Sequence, residues 1–231
     1  HSGAPSLGDY YVIDLDLTKY DKIAQRFQTE QQQADSLLKQ GVATRSAVYN
    51  TMVQRIEQLV LRSNIPLLLT GGSGVGKMRL VQSIYELKLA RHQIKGALEV
   101  FNCSSINIEL GAAELFGYAK GGMFSATGKL QGALSRARGG MLLLKSIESL
   151  SLELQARLIQ VLEAGMWRPF GTDKFEKVEC LIVATSCVDL AERVREGLFR
   201  QDLLSYLSGW HERLPDLNER KEDIEPNIDY E

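Results

Sequence analysis

The stretch PLLLTGGSGVGKM, residues 66–78, restricts the possible folds more than any other part of the chain. An apolar run suited to a buried strand enters a turn containing Gly71, Gly74 and Gly76, and Lys77 opens a helical pattern. That order is the phosphate-loop pattern. Glycines let backbone N–H groups turn inward around an anion, the helix N-terminus adds partial positive charge, and the lysine reaches the outer phosphates. The nucleotide-binding candidates are therefore Gly71, Gly72, Ser73, Gly74, Val75, Gly76, Lys77 and Met78. A glycine-rich turn without a ligand is the competing reading, and the strand before and helix after weigh against it.

The remaining apolar runs repeat the alternation. ALEVF (97–101), MLLL (141–144) and CLIVA (180–184) are buried-strand candidates, with helical stretches near 77–92, 129–138, 151–164 and 188–196. Strands alternating with helices predict an α/β fold, a parallel sheet covered by helices on both faces. Val48, Met52, Ile56, Leu59 and Val60 mark an amphipathic helix before the first strand, stopped by Asn-Ile-Pro at 64–66. WRPFGTDKFEKV (167–178) reads as a hairpin inserted before CLIVA. Further upstream, 9–17 reads as a strand and 20–39 as a helix with a Gln-rich face; residues 1–41 are assigned to an N-terminal linker and 42–231 to the α/β core.

Composition removes several function classes. A chain of 231 residues with 44% apolar content can bury one large core. A net charge of −2 lacks the basic footprint of phosphate-backbone recognition, so no direct DNA contact is expected from this chain. Cys103, Cys180 and Cys187, with His1, His92 and His211, show neither paired nor metal-like spacing, which argues against a disulfide framework or zinc site and for a reducing cytoplasm. No apolar run approaches the roughly 18–20 residues of a membrane span. The His-Ser-Gly start and the abrupt end at NIDYE are those expected of a fragment.

Two places in the chain conflict with ordinary nucleotide hydrolysis. The eighth loop position normally offers a Ser or Thr hydroxyl to Mg²⁺; here it is Met78, whose thioether is a poor ligand for a hard cation. The MLLL strand should end in an Asp that holds the metal and a Glu that polarises water, but it ends in Lys145 and Ser146. Glu148 lies two residues on, about 6–7 Å along an extended chain, and reads as a solvated turn carboxylate. Trp167, Trp210 and the methionines read as packing residues, Cys103 as a small buried residue, and 219–231 as a solvated surface.

LFGYAKGGMFSAT (115–127), GGMLLL, LQARLIQVLEAG (154–165), PFGTDK (169–174), GLFRQDLLSYL (197–207) and LPDLNERKEDIEP (214–226) occur in order. Together they resemble the AAA+ domain of bacterial sigma-54-dependent transcription activators. The flanking YYVIDLDLTKYDKIAQRF, LKQGVATRSAVYN and YELKLARHQIKGAL are similar to the branch that regulates RNA-repair operons. The resemblance implies an AAA+ P-loop core with its helical lid truncated, binding of ATP or ADP with Mg²⁺, hexameric rings of the chain with itself, and remodelling of sigma-54 RNA polymerase. It also implies an N-terminal ligand-sensing domain and a C-terminal DNA-binding domain outside this chain. Position by position, Asn102 matches the asparagine that restrains the catalytic glutamate, but its partner position is Ser146. Arg200 matches the first of two arginines offered to the neighbouring subunit; the second position is Tyr206, and the polar sensor position is Ser186. The sigma-54 loop corresponds to Gly121, Gly122, Met123, Phe124, Ser125, Ala126 and Thr127, which depart from the Gly-Ala-Phe-Thr-Gly-Ala pattern. These departures all lie on the catalytic or output path, so the expectation is a retained fold with impaired hydrolysis. The alternative is a catalytically dead nucleotide-binding or oligomerisation module.

Overall fold

A computed structural model describes residue 38 and residues 46–106, 110–119 and 130–221. The chain runs through α1 (Ala47–Arg62), β1 (Leu67–Thr70), α2 (Lys77–Ala90), β2 (Leu98–Asn102), α3 (Gly111–Phe116), α4 (Ala133–Arg136) and β3 (Met141–Lys145). It continues through α5 (Leu152–Ala164), β4 (Met166–Trp167), β5 (Glu176–Lys177), β6 (Leu181–Ser186), α6 (Leu190–Arg195), α7 (Gln201–Leu207) and β7 (Trp210–Arg213). The expected strand at 9–17, most of the helix at 20–39 and the loop at 121–127 lie outside the described residues.

Five strands form a sheet in the order β2-β3-β6-β1-β7, and every pairing is parallel. All six residues of β6 and the first four of β3 are buried, as expected of central parallel strands covered on both faces. Alternation along the strands divides the core. Leu67, Leu69, Met141, Leu143 and Val183 join Met52, Ile56, Leu80 and Ile84 of α1 and α2. Leu68, Leu142, Leu144, Ile182 and Ala184 face the opposite way, with Phe116, Leu158, Leu162, Leu203 and Leu207 of α3, α5 and α7. This places the β1–α2 turn at the carboxyl edge, beside β6 and β7, where open α/β sheets put their ligands.

The 129–138 helical pattern contracts to α4, because Gly132 is still extended before it and Gly139 turns with φ 71° after it. β4 and β5 pair antiparallel, Trp167 opposite Glu176, so the predicted hairpin is present with a longer connection than its Gly-Thr-Asp signal suggested. Tyr118 bridges both Leu130 and Phe170, joining these two described positions to the chain that follows α3. Met52 and Met141 are core residues, but Met78 and Met166 are each 41% exposed, which corrects the reading of all the methionines as filler.

Lys88 is buried near the end of α2, its ammonium donating to Asn64 Oδ1 (3.1 Å) and Gln93 Oε1 (3.0 Å). Burial pushes its pKa below the ordinary lysine value of 10.5. The unfolded chain therefore binds this proton more readily than the folded one, and stability rises with pH across the window between the folded value and 10.5. Compared with Lys88→Met, which does not titrate, the unmodified chain is expected to gain relative stability as pH is raised from 7 towards 10. Urea unfolding at the two pH values measures this, and a pH-independent difference would contradict it.

Candidate functional site

The phosphate loop leaves β1 at Thr70 with Gly71 at φ 141°, Gly74 at φ 81° and Gly76 at φ 95°. A Cβ at Gly74 or Gly76 would meet nothing within 4 Å, so the requirement there is backbone conformation, and the loop faces open space. Gly71 is additionally crowded, since its Cβ would lie 2.6 Å from the Leu214 carbonyl oxygen. Gly76 caps α2 in the left-handed conformation, and Lys77 is the first helical residue. Positive-φ glycines, an open face and a helix N-terminus fit a bound phosphate.

Two of the loop's donors already have partners within the chain. The Lys77 ammonium donates to the carbonyls of Gly71 (2.6 Å) and Gly72 (2.7 Å). The Gly72 N–H donates to Asp216 Oδ1 at 3.2 Å. Beside the loop lies a cleft of about 530 Å³ whose walls include Thr70, Gly72, Asp189, His211 and Asp216. His211 Nε2 and the Thr70 hydroxyl are hydrogen-bonded at 2.8 Å.

The residues do not fit a catalytic divalent cation. Met78 presents a thioether, β3 ends in exposed Lys145, and among the described residues there is no group of three His, Cys, Asp or Glu side chains placed to hold a metal. Ser146 has φ 55° and donates its N–H to Thr185 Oγ1 at 3.4 Å. That left-handed residue ends the extended chain and starts a 3₁₀ turn over Ile147–Ser149. Glu148 is consequently not carried 6–7 Å outward as a solvated carboxylate. The turn folds it back, half-buried, so that Oε1 accepts from the Cys187 N–H at 3.1 Å while Oε2 is buried with no hydrogen-bond partner among the described residues. One left-handed residue, Ser146, thus turns back a chain that an extended strand would have carried outward.

The other candidates have local partners. Asn102 caps the turn after β2, its Oδ1 accepting from the Ser104 N–H (3.3 Å) and hydroxyl (2.9 Å). Cys103 is buried beside it, and desolvation followed by the Glu148 charge pushes its thiol up to about 12, consistent with an inert packing residue. Ser186, expected as the polar sensor, is fully buried and donates its hydroxyl to the Val188 carbonyl at 2.9 Å, within its own turn. Arg200 is exposed and makes a two-pronged ion pair with Asp202, at 3.0 and 2.7 Å. The Tyr206 hydroxyl donates to the Leu162 carbonyl at 2.8 Å, which ties the position where the resemblance expected a second arginine to α5.

Three positioning residues were not singled out from the sequence. Gln155 is fully buried, donates to the carbonyls of Leu150 (2.7 Å) and Leu198 (3.2 Å), and accepts from the Arg200 N–H (2.8 Å). It joins the turn after β3 to the backbone that carries Arg200. Arg220, expected on a solvated surface, is 4% exposed, donates to the Val75 carbonyl at 3.1 Å and lies over the Tyr49 ring at 4.6 Å. Asp216 faces the loop from the same segment, and its place within LPDLNERK was the one sequence signal available.

Comparison with known proteins agrees with this architecture. The family model for the Sigma-54 interaction domain matches residues 42–211, and the model for RtcR, regulator of RNA terminal phosphate cyclase, matches residues 2–41. The chain is 42% identical over 224 residues to the transcriptional regulatory protein RtcR of Escherichia coli (strain K12), covering 97% of this chain and 42% of that protein. It is 34% identical over 172 residues to the DNA-binding transcriptional regulator NtrC of Azospirillum brasilense, covering 74% of this chain and 35% of that protein. The crystal structure of NtrX from Brucella abortus in complex with ATP aligns with a TM-score of 0.71 and 28% identity, covering 82% of this chain and 42% of that one. The chain thus spans less than half the length of each of these relatives. With its phosphate loop at the carboxyl edge of a five-stranded parallel sheet, and with residues 42–211 matched throughout, the chain belongs to the sigma-54 interaction domain family of AAA+ transcriptional regulators and is similar to RtcR.

Proposed function

We propose that this chain is the nucleotide-binding AAA+ module of an RtcR-like, sigma-54-dependent regulator, in which nucleotide binding and self-assembly persist while hydrolysis is impaired. The observation that supports it is the contrast at one sheet edge: the loop from Gly71 to Lys77 keeps a phosphate-ready backbone, whereas β3 ends in Lys145 and Ser146. ATP or ADP is the ligand class, as in the NtrX structure bound to ATP. Backbone N–H groups of the loop and the Lys77 ammonium would bind the phosphates, with Lys145 adding positive charge at the β3 end. Ser146 is too weak a base to activate water at neutral pH, and Arg200 alone supplies the trans-acting charge. Partners under this reading are further copies of the chain in a ring, expected to be hexameric, and sigma-54 RNA polymerase through 121–127 in the cytoplasm, with DNA contacts made by other domains.

Titration calorimetry with ATP, first with Mg²⁺ and then with EDTA, together with phosphate release, tests the reading. Expected are affinities that agree within about threefold and release at background, because neither Lys145 nor Ser146 offers the carboxylate that would make metal obligatory. Binding that vanishes in EDTA, or steady phosphate release by the unmodified chain, would establish an active metal-dependent ATPase instead. No binding under either condition would remove the nucleotide reading.

A further inference from the structure

The chain that leaves β7 does not move away from the phosphate loop; it closes over it. Leu214 donates its N–H to the Thr70 carbonyl at 2.8 Å, where β1 ends, and its own carbonyl oxygen fills the space a Gly71 side chain would need. Two residues later, Asp216 Oδ1 accepts from the Gly72 N–H at 3.2 Å and would lie 2.5 Å from a Cβ there. Arg220 then donates to the Val75 carbonyl at 3.1 Å and is anchored over Tyr49 of α1. One seven-residue segment therefore grips the loop at its entrance, at its second residue and at its fifth.

The segment is braced. Arg213 pairs with Glu219 at 3.1 Å and approaches Asp216 at 3.9 Å, and Glu219 accepts from the Asp216 N–H at 2.9 Å. Asp216 is thus held on the loop by its backbone as well as by the Gly72 contact.

Resting on the nucleotide-binding reading above, we propose that Asp216 is an autoinhibitory latch: a carboxylate held on the phosphate loop that opposes phosphate binding until segment 214–220 shifts. The chemistry is direct. A phosphate-binding loop works by turning N–H donors and a lysine towards an anion, and here one N–H already faces an anion while Lys77 is folded onto two loop carbonyls. An incoming polyphosphate meets like charge at Asp216 and has to draw Lys77 off Gly71 and Gly72. If only a fraction of molecules has the latch open, the apparent dissociation constant rises by the reciprocal of that fraction. Any force that lifts residues 214–220 would then tune nucleotide affinity from outside the site. Removing the charge while keeping the acceptor isolates the electrostatic part, because Asp216→Asn still accepts from the Gly72 N–H.

The test uses the 231-residue chain, ATP and ADP, and calorimetry at fixed ionic strength in EDTA. Asp216→Asn is expected to tighten both nucleotides by about tenfold, a typical scale for a partly exposed charge acting on a polyphosphate, and to narrow as salt is raised. Asp216→Ala should tighten them at least as much, since it also frees the N–H. Glu179→Gln is the charge control: it removes the same unit charge at the opposite, amino edge of the sheet, just before β6, where Glu179 pairs with Arg138, and should change affinity by less than about twofold. The proposal is overturned if the two Asp216 variants bind no more tightly than the unmodified chain, or if Glu179→Gln tightens binding equally. Lys77→Ala separates the two levels of argument. Loss of binding in that variant keeps the nucleotide site in place whatever Asp216 does, whereas unchanged binding would remove the site and the latch together.

Discussion

Trp167→Ala is expected to lower stability by about 3–5 kcal/mol, the range for removing a large aromatic side chain from a packed core. Trp167 is 2% exposed and belongs to the same apolar cluster as Phe116, Leu158 and Leu162. Its indole N–H donates to the Phe116 carbonyl at 3.1 Å, so truncation also leaves a buried acceptor unpaired, a further penalty of about 1–3 kcal/mol if water cannot reach it. The position joins hairpin to sheet: β4 starts just after α5, and Phe116 ends α3 at the approach to segment 120–129. Trp167→Phe retains much of the apolar area and loses the donor, and is expected to cost less than half as much. Urea unfolding of both variants measures the pair. A loss below about 1 kcal/mol for the alanine variant would mean that this cluster relaxes around the cavity.

The fold was largely legible because its signals are strong and local. A run such as MLLL can be satisfied only by burial on both faces, and PLLLT followed by glycines and Lys77 places a strand, a turn and a helix within thirteen residues. The phosphate loop was legible for the same reason: the backbone conformation at Gly74 and Gly76 is one that glycine adopts most readily, so the residue type announces the geometry. What surrounds the loop was not legible. Asp216, Arg220 and Gln155 act through contacts 144, 145 and 45 residues distant in sequence, and no periodicity encodes such pairs. Glu148 shows the complementary failure. Its neighbours were known, but the left-handed φ of Ser146 is uncommon for a residue with a Cβ, and it redirected the side chain from solvent to the Cys187 N–H. Composition could not separate Arg220 from the charged tail around it, although packing against Tyr49 makes it a core cation.

The double substitution Lys145→Asp with Ser146→Glu is expected to make nucleotide binding metal-dependent, with ATP bound at least tenfold more tightly in Mg²⁺ than in EDTA. Lys145 follows Met141 and Leu143 on the strand face that packs towards α2, the helix that the phosphate loop opens. An aspartate there replaces a cation by an anion on the loop's side of the sheet. Without metal, like charge weakens binding of the triphosphate; with Mg²⁺, the carboxylate and the phosphates share a hard cation suited to both. Turnover should nevertheless remain far below the roughly 1 per second and upward of ordinary enzymes. Met78 still offers no hydroxyl to the metal, and Tyr206, which under the proposed function stands where a second arginine would act in trans, remains tied to the Leu162 carbonyl. Loss of one such arginine typically lowers rates by about 10³–10⁵. The carboxylate introduced by Ser146→Glu would also inherit the φ of 55° and the downstream turn, so it would start from a backbone direction that Ser146 now uses to bring Glu148 back to the sheet edge. Calorimetry in Mg²⁺ and EDTA, paired with phosphate release, decides the matter. Metal-independent binding by the double variant would show that side chains at the end of β3 do not reach the nucleotide, and full turnover would show that Met78 and Tyr206 are no obstacle to catalysis.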